Sequence, residues 1–143
     1  MPSLECHLHL LQGRNLSVKD QDSSDPFVRI YLDDATNTSA ATFDGDGADC
    51  LFQSRSKSKT TNPKFNEHFR HSIIHDDGTT SSSSYTFVLS IFDEDGMHGE
   101  DAMGRVRIPI ALTGSTATAE WYPVQDGGQG ELQVKLQVEK ING

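Results

Sequence analysis

Two short segments hold the residues whose chemistry stands out. Residues 19–25 read KDQDSSD and residues 93–101 read DEDGMHGED, and together they carry eight acids: Asp20, Asp22, Asp25, Asp93, Glu94, Asp95, Glu100 and Asp101. The chain has 21 acids against 12 Lys and Arg, a formal net charge of -9, and removing those eight leaves 13 acids and a nearly neutral remainder. The acidity is therefore local. Gathering carboxylates costs roughly 1 kcal/mol per pair at about 4 Å even in bulk water, so a cation is needed to offset the repulsion. Carboxylate oxygens suit a hard divalent ion. Ca²⁺ takes about six to eight oxygens and accepts flexible loops, whereas Mg²⁺ demands a tight octahedron and keeps its waters. Asp93, Asp95 and Asp101 supply the spacing D-x-D-x5-D, with Asp20 and Asp25 as facing carboxylates from the other segment.

Carboxylates so distant in the chain can meet only if the fold carries both segments to one end. Apolar residues alternate at Leu4, Cys6, Leu8 and Leu10, and again at Leu132, Val134, Leu136 and Val138, the period-2 pattern of half-buried strands. Similar runs rich in Val, Ile, Phe and Tyr lie near 27–32, 51–58, 65–74, 85–92, 103–110 and 119–124, giving eight strands. No window of helical length shows a 3.6-residue period, and Gly, Asp, Asn, Pro and Ser cluster between the runs. That combination predicts an all-β antiparallel sandwich. At 143 residues and 34% hydrophobic content the chain can build one core, hence a single domain over 1–143. In such a sandwich, loops after odd-numbered strands emerge at one end. The acidic segments follow strands 1 and 5, with the 59–64 connection after strand 3 beside them, while the long polar segments 33–50 and 75–84 fall at the other end.

Several function classes are disfavoured. No stretch approaches the roughly 18 apolar residues of a membrane span, and the opening MPSLECHLHL lacks the basic-then-apolar order of a secretory signal, which predicts an intracellular, cytoplasmic protein. Cys6 and Cys50 lack metal or disulfide-framework spacing and read as bland thiols. A G-x-S-x-G elbow, a phosphate loop and an HExxH pattern are all missing, so no catalysis is expected.

Further motifs carry a resemblance over nearly the whole chain. Ser24-Asp25-Pro26 leading into 27–32, the run KTTNPKFNEHF at 59–69, LSIFDED at 89–95 followed by Met103-Gly104, Trp121-Tyr122, and Gly130-Glu131-Leu132 resemble the C2 domain. The opening LECHLHLLQGRNL and closing GELQVKLQV resemble the family's second, circularly permuted topology. The resemblance implies an eight-stranded Greek-key β-sandwich of type II. It also implies that Asp20, Asp25, Asp93, Asp95 and Asp101 bridge two or three Ca²⁺ ions, with the main-chain carbonyls of Lys19 and Glu94 completing the shell. The gap between Asp20 and Asp25 is one residue shorter than the family's usual spacing, which leaves Asp22 as a replacement or supplement for Asp20.

The function so implied is Ca²⁺-dependent binding to anionic phospholipid, phosphatidylserine above all, by a monomer recruited peripherally to membranes when calcium rises. Nucleic acid is not an expected partner; protein partners or attached domains are. Met97 is the one candidate wedge at the tip, with His98 beside it. Arg55, Lys57 and Lys59 recur every second residue, which would put them on one face of strand 3 with Lys64 nearby, similar to the family's phosphoinositide-binding patch. The competing reading is a calcium-independent protein-interaction or phosphoinositide-binding module. His7 and His9 face outward on strand 1 as ordinary surface, and His68 and His71 point to opposite faces of their strand.

Overall fold

The computed structural model describes residues 3–18, 24–34, 50–74, 85–95 and 99–141, with the backbone alone at Asp34, Asp95, Gly99 and Glu100. The eight expected strands are β1 (Ser3–Arg14), β2 (Pro26–Asp34), β3 (Phe52–Gln53), β4 (Lys64–Ile74), β5 (Tyr85–Asp95), β6 (Gly99–Ile110), β7 (Ala119–Pro123) and β8 (Glu131–Ile141). They form two antiparallel four-stranded sheets, ordered β4-β1-β8-β7 and β3-β2-β5-β6. The first and last strands lie side by side inside one sheet, from Ser3 opposite Ile141 to Arg14 opposite Glu131, in keeping with the permuted topology. Among the described residues no helix is long and apolar enough to cross a membrane.

Alternation decides which side chains meet between the sheets. Leu4, Cys6, Leu8 and Leu10 of β1 and Leu132 and Val134 of β8 are fully or almost fully buried, facing Val28 and Ile30 of β2 and Phe87, Leu89 and Ile91 of β5. Each such side chain contributes about 1.5–3 kcal/mol by leaving water, and a one-residue slip would turn the whole row outward. Register is therefore strongly specified along both inner strands. At the exit of β1, the Arg14 guanidinium lies 3.8 Å from the Trp121 ring centroid and pairs with Glu131 at 2.7 Å, which fastens the strand where the first acidic segment departs.

Two expected boundaries are corrected. Strand 3 shrinks to Phe52–Gln53: Ser54 still donates its N–H to the Val28 carbonyl at 2.8 Å, but the Val28 N–H is accepted by the Ser54 hydroxyl at 2.9 Å in place of a main-chain carbonyl, and regular pairing stops there. The second acidic segment is not simply a loop between strands ending near 92 and starting near 103. Backbone pairing runs on to the tip, with Asp93 opposite Asp101, Glu94 opposite Glu100 and Asp95 opposite Gly99. The long segments 35–49 and 75–84 lie outside the described residues.

The outer face of the first sheet carries ordered rows, among them Arg70–His7–Gln137 and His68–His9–Lys135. Burial, then His68 and Lys135, holds His9 below the ordinary imidazole range, and burial does the same for His71, against the opposing pull of Glu5. In the unfolded chain both take up a proton near pH 6.5, while the folded protein resists it until lower pH. The unfolded state thus binds more protons in that interval, and stability falls as pH drops through it. Urea midpoints are expected to be lower at about pH 5.5 than at about pH 7.5, with a shallower slope in His9→Gln; a flat wild-type profile would contradict this.

Candidate functional site

The three connections expected at one end do meet there. Ser24, just before β2, donates its hydroxyl to the Ser17 carbonyl at 2.7 Å, and its own carbonyl accepts the Thr60 N–H at 2.8 Å. Leu16 N–H reaches the Thr61 carbonyl at 3.0 Å, and the Asn62 side chain accepts the Asn15 N–H at 3.0 Å. The first acidic segment and the 59–64 connection are therefore sewn together by backbone donors, each bond contributing about 0.5–1.5 kcal/mol.

Carboxylates complete the junction. Asp93, at 0% exposure, accepts the Asp25 main-chain N–H at 2.7 Å, and Asp25 in turn accepts the Lys59 N–H at 2.6 Å. The Glu94 N–H returns to the Asp25 carbonyl at 3.0 Å, and its carboxylate accepts a short hydrogen bond from the Ser56 hydroxyl. Hydrogen bonds to ionised acceptors are about twice as strong as neutral ones. Asp25 and Asp93 are thereby fixed in place as oxygen-bearing groups. Asp101 sits opposite Asp93 in the ladder and is exposed. Like charges directly opposite on paired strands are destabilising, so the backbone geometry at the tip is maintained against repulsion.

Of the sequence-predicted ligands, the fold thus brings Asp25, Asp93, Glu94 and Asp101 to one tip. Lys19, Asp20 and Asp22 lie outside the described residues, as do Met97 and His98, and for Asp95 only the backbone is described. Among the described residues no group of three or more His, Cys, Asp or Glu is disposed to hold a metal. The donor chemistry nevertheless fits Ca²⁺: hard, anionic oxygens from separate segments, with no sulfur or imidazole among them.

The cationic row expected on strand 3 is not a strand face, because β3 ends at Gln53. Arg55 donates its N–H to Glu67, Lys57 N–H pairs with the Pro26 carbonyl, Lys59 adopts a left-handed φ of 50°, and the Lys64 ammonium bonds Gln12. The period-2 argument for one shared face therefore lapses, although all four residues stay on the β2–β4 side of the tip. Sequence reasoning also missed Val18, an apolar residue 50% exposed immediately before the first acidic segment. The signal was available in its position, a valine between Ser17 and Lys19 that joins Met97 as a second apolar candidate.

Comparison with known proteins agrees with this architecture. The family profile described as C2 domain matches residues 4–124. The E3 ubiquitin-protein ligase Nedd-4 of Drosophila melanogaster is 32% identical over 108 residues, which is 73% of this chain but 9% of that protein. Among solved structures, C2 domain A of plant Extended Synaptotagmin 1 has a TM-score of 0.64 at 21% identity, covering 97% of this chain and 96% of the other. The calcium-bound pair of C2 domains, A and B, of Extended-Synaptotagmin 2 gives 0.68 at 22% identity, over 94% of this chain and 45% of that one. The chain spans a fifth or less of the curated relatives it matches, so the ligase activity in one of their names stays with that protein. With the permuted sheet order, the acidic tip and the profile over residues 4–124 all agreeing, the chain belongs to the C2 domain family.

Proposed function

We propose that this chain is a Ca²⁺-dependent module that docks on anionic phospholipid membranes through its aspartate-bearing tip, at the cytoplasmic face, and catalyses nothing. The observation that carries the reading is the hydrogen-bonded junction in which Lys59 N–H holds Asp25 and Asp25 N–H holds Asp93. In this reading Asp20, Asp25, Asp93, Asp95 and Asp101 hold the ion through their side chains, with Lys19 and Glu94 contributing main-chain carbonyls. When bound, Ca²⁺ supplies positive charge and open coordination positions for lipid phosphates and carboxylates. The eight acids with Lys19 sum to about -7 and on their own repel an anionic leaflet; two or three ions supply about +4 to +6. Ligands drawn from separate loops give a modest intrinsic affinity, on the order of 10⁻⁵ to 10⁻⁴ M, which lipid tightens by linkage.

Val18 and Met97 add little apolar insertion, at about 0.8 kcal/mol per buried CH₂. Docking is therefore mainly electrostatic and screened by salt. In a flotation assay the protein is expected to rise with phosphatidylserine vesicles in Ca²⁺, to stay down with chelator, and to be released at about 1 M salt. Binding that survives that salt, or that favours neutral phosphatidylcholine, rejects the electrostatic mechanism; binding indifferent to Ca²⁺ rejects the calcium requirement.

A further inference from the structure

The outer face of the sheet β4-β1-β8-β7 holds a cavity of about 470 Å³ lined by His7, His9, His68, Ala117, Lys135 and Gln137. Register builds it: His68, His9 and Lys135 form one cross-strand row, and His7 and Gln137 belong to the next. The segment just ahead of β7 contributes Ala117, and the stretch 111–119 (ALTGSTATA) brings no charge. The His9 and His68 rings stack with centroids 3.9 Å apart. The Nε2 of His9 is shielded from solvent and meets no hydrogen-bond partner among the described residues, a condition that is destabilising until a partner satisfies it.

The composition of this lining selects the ligand. Its polar groups are three imidazoles, one ammonium and one amide, all able to donate N–H, and among the described residues no carboxylate lines the cavity although the chain carries a net charge of -9. The nearest acid row, Glu5 with Glu139 opposite it, is partly engaged: Glu5 accepts the Ser72 hydroxyl at 2.7 Å and pairs with Arg70 at 3.7 Å. The charged and titratable groups around His9 are thus His7 and Glu5 from β1, His68 and Arg70 from β4, and Lys135 and Glu139 from β8. A metal cation is disfavoured by Lys135 and Arg70. An anion with several acceptor oxygens suits the site, because a lysine ammonium binds phosphate as a point charge and imidazole N–H groups add directional bonds.

We propose that this cavity is a binding site for a phosphomonoester anion, held by the Lys135 ammonium and by N–H groups of His9 and His68, and strengthened by mild acidification. It lies on the other sheet from β2 and β3 and uses none of the tip carboxylates. Burial, with His68 and Lys135 close by, makes protonating His9 unfavourable in the free protein. Bound phosphate supplies the counter-charge.

The test is an NMR titration of the whole chain, following the histidine imidazole signals, with glycerol 3-phosphate as probe and chloride at matched ionic strength as control. A phosphomonoester takes up its second proton only near pH 6, so at about pH 6.5 and about pH 8 the probe keeps most of its charge, and at the lower value its binding draws a proton onto His9. Saturable shifts at His9 and His68 are expected, with affinity about threefold or more higher at the lower pH and a loss of similar size in Lys135→Gln. Parallel calcium-free flotation with vesicles containing phosphatidylinositol 4-phosphate distinguishes the source: adsorption lost in Lys135→Gln assigns a lipid headgroup, and adsorption unchanged alongside glycerol 3-phosphate binding assigns a soluble metabolite. Shifts that fail to saturate, that chloride reproduces, or that persist in a folded His9→Gln/Lys135→Gln protein overturn the proposal.

Discussion

About 1 mM Ca²⁺ is expected to raise the melting temperature of the wild-type protein by roughly 8 °C and to leave Asp93→Asn/Asp95→Asn unmoved. The size follows from linkage at the tighter end of the proposed affinity range, about 10⁻⁵ M: an ion present at about a hundred times its dissociation constant stabilises by about 2.7 kcal/mol, and a domain of this size gains roughly 3 °C per kcal/mol. The choice of Asn separates binding from folding. Asp93 is buried and accepts the Asp25 N–H; an asparagine keeps that acceptor oxygen while losing the charge. Alanine would leave the Asp25 N–H without its partner and confound the two. In calcium-free buffer the double variant is expected to melt at or slightly above wild type, since one charge of the opposed Asp93–Asp101 pair is gone. The same titration with phosphatidylserine vesicles should show tighter apparent Ca²⁺ affinity in the wild type alone. A wild-type melting temperature indifferent to millimolar calcium would reject Ca²⁺ as the ion.

Gly130→Ala is expected to cost about 4 kcal/mol, or roughly 12 °C, without any ion in the experiment. Gly130 has φ 83°, and a Cβ built there would lie 2.3 Å from the Arg14 carbonyl oxygen and 2.4 Å from that of Asn15. Both obstacles are backbone, at the point where β1 releases the first acidic segment, so neither can swing away. Gly127 provides the control. Its φ of 89° is as unfavourable for a side chain, yet nothing lies within 4 Å of its would-be Cβ, so Gly127→Ala should lose only the left-handed backbone penalty of about 1–2 kcal/mol. Equal urea midpoints for the two variants would show that close approach to β1 does not matter. If it matters as argued, the launching point of the acidic segment moves with Gly130, and calcium affinity in the surviving folded fraction should weaken as well.

The alternation of Leu4, Cys6, Leu8 and Leu10 made β1 readable, because the inner face of a sandwich selects apolar residues at every second position. Parity of the connections then sufficed to bring Asp25, Lys59 and Asp93 to one end, where they are hydrogen-bonded. Strand ends were less legible. Backbone pairing carries β5 and β6 on through Asp93 and Asp101, residues whose charge marks a loop by composition, and propensity does not register a ladder that continues under repulsion. The truncation of β3 turned on a single hydroxyl, Ser54 to Val28 N–H, which no periodicity encodes. The His9–His68 stack was hidden for a different reason: each residue reads as ordinary surface alone, and only the β1–β4 register makes them neighbours.

The pairing of β1 with β8 also dictates an order of assembly. Within this domain β1 finds its neighbour in β8, far along the chain, with Ser3 aligned to Ile141. Until β8 has been synthesised, β1 keeps an open edge bearing a row of apolar side chains, and closing so long a loop makes folding slow and exposes the nascent chain to aggregation. Loss of β8 would open both β1 and β7 at once, leaving a half-built sheet that chaperones would have to shield.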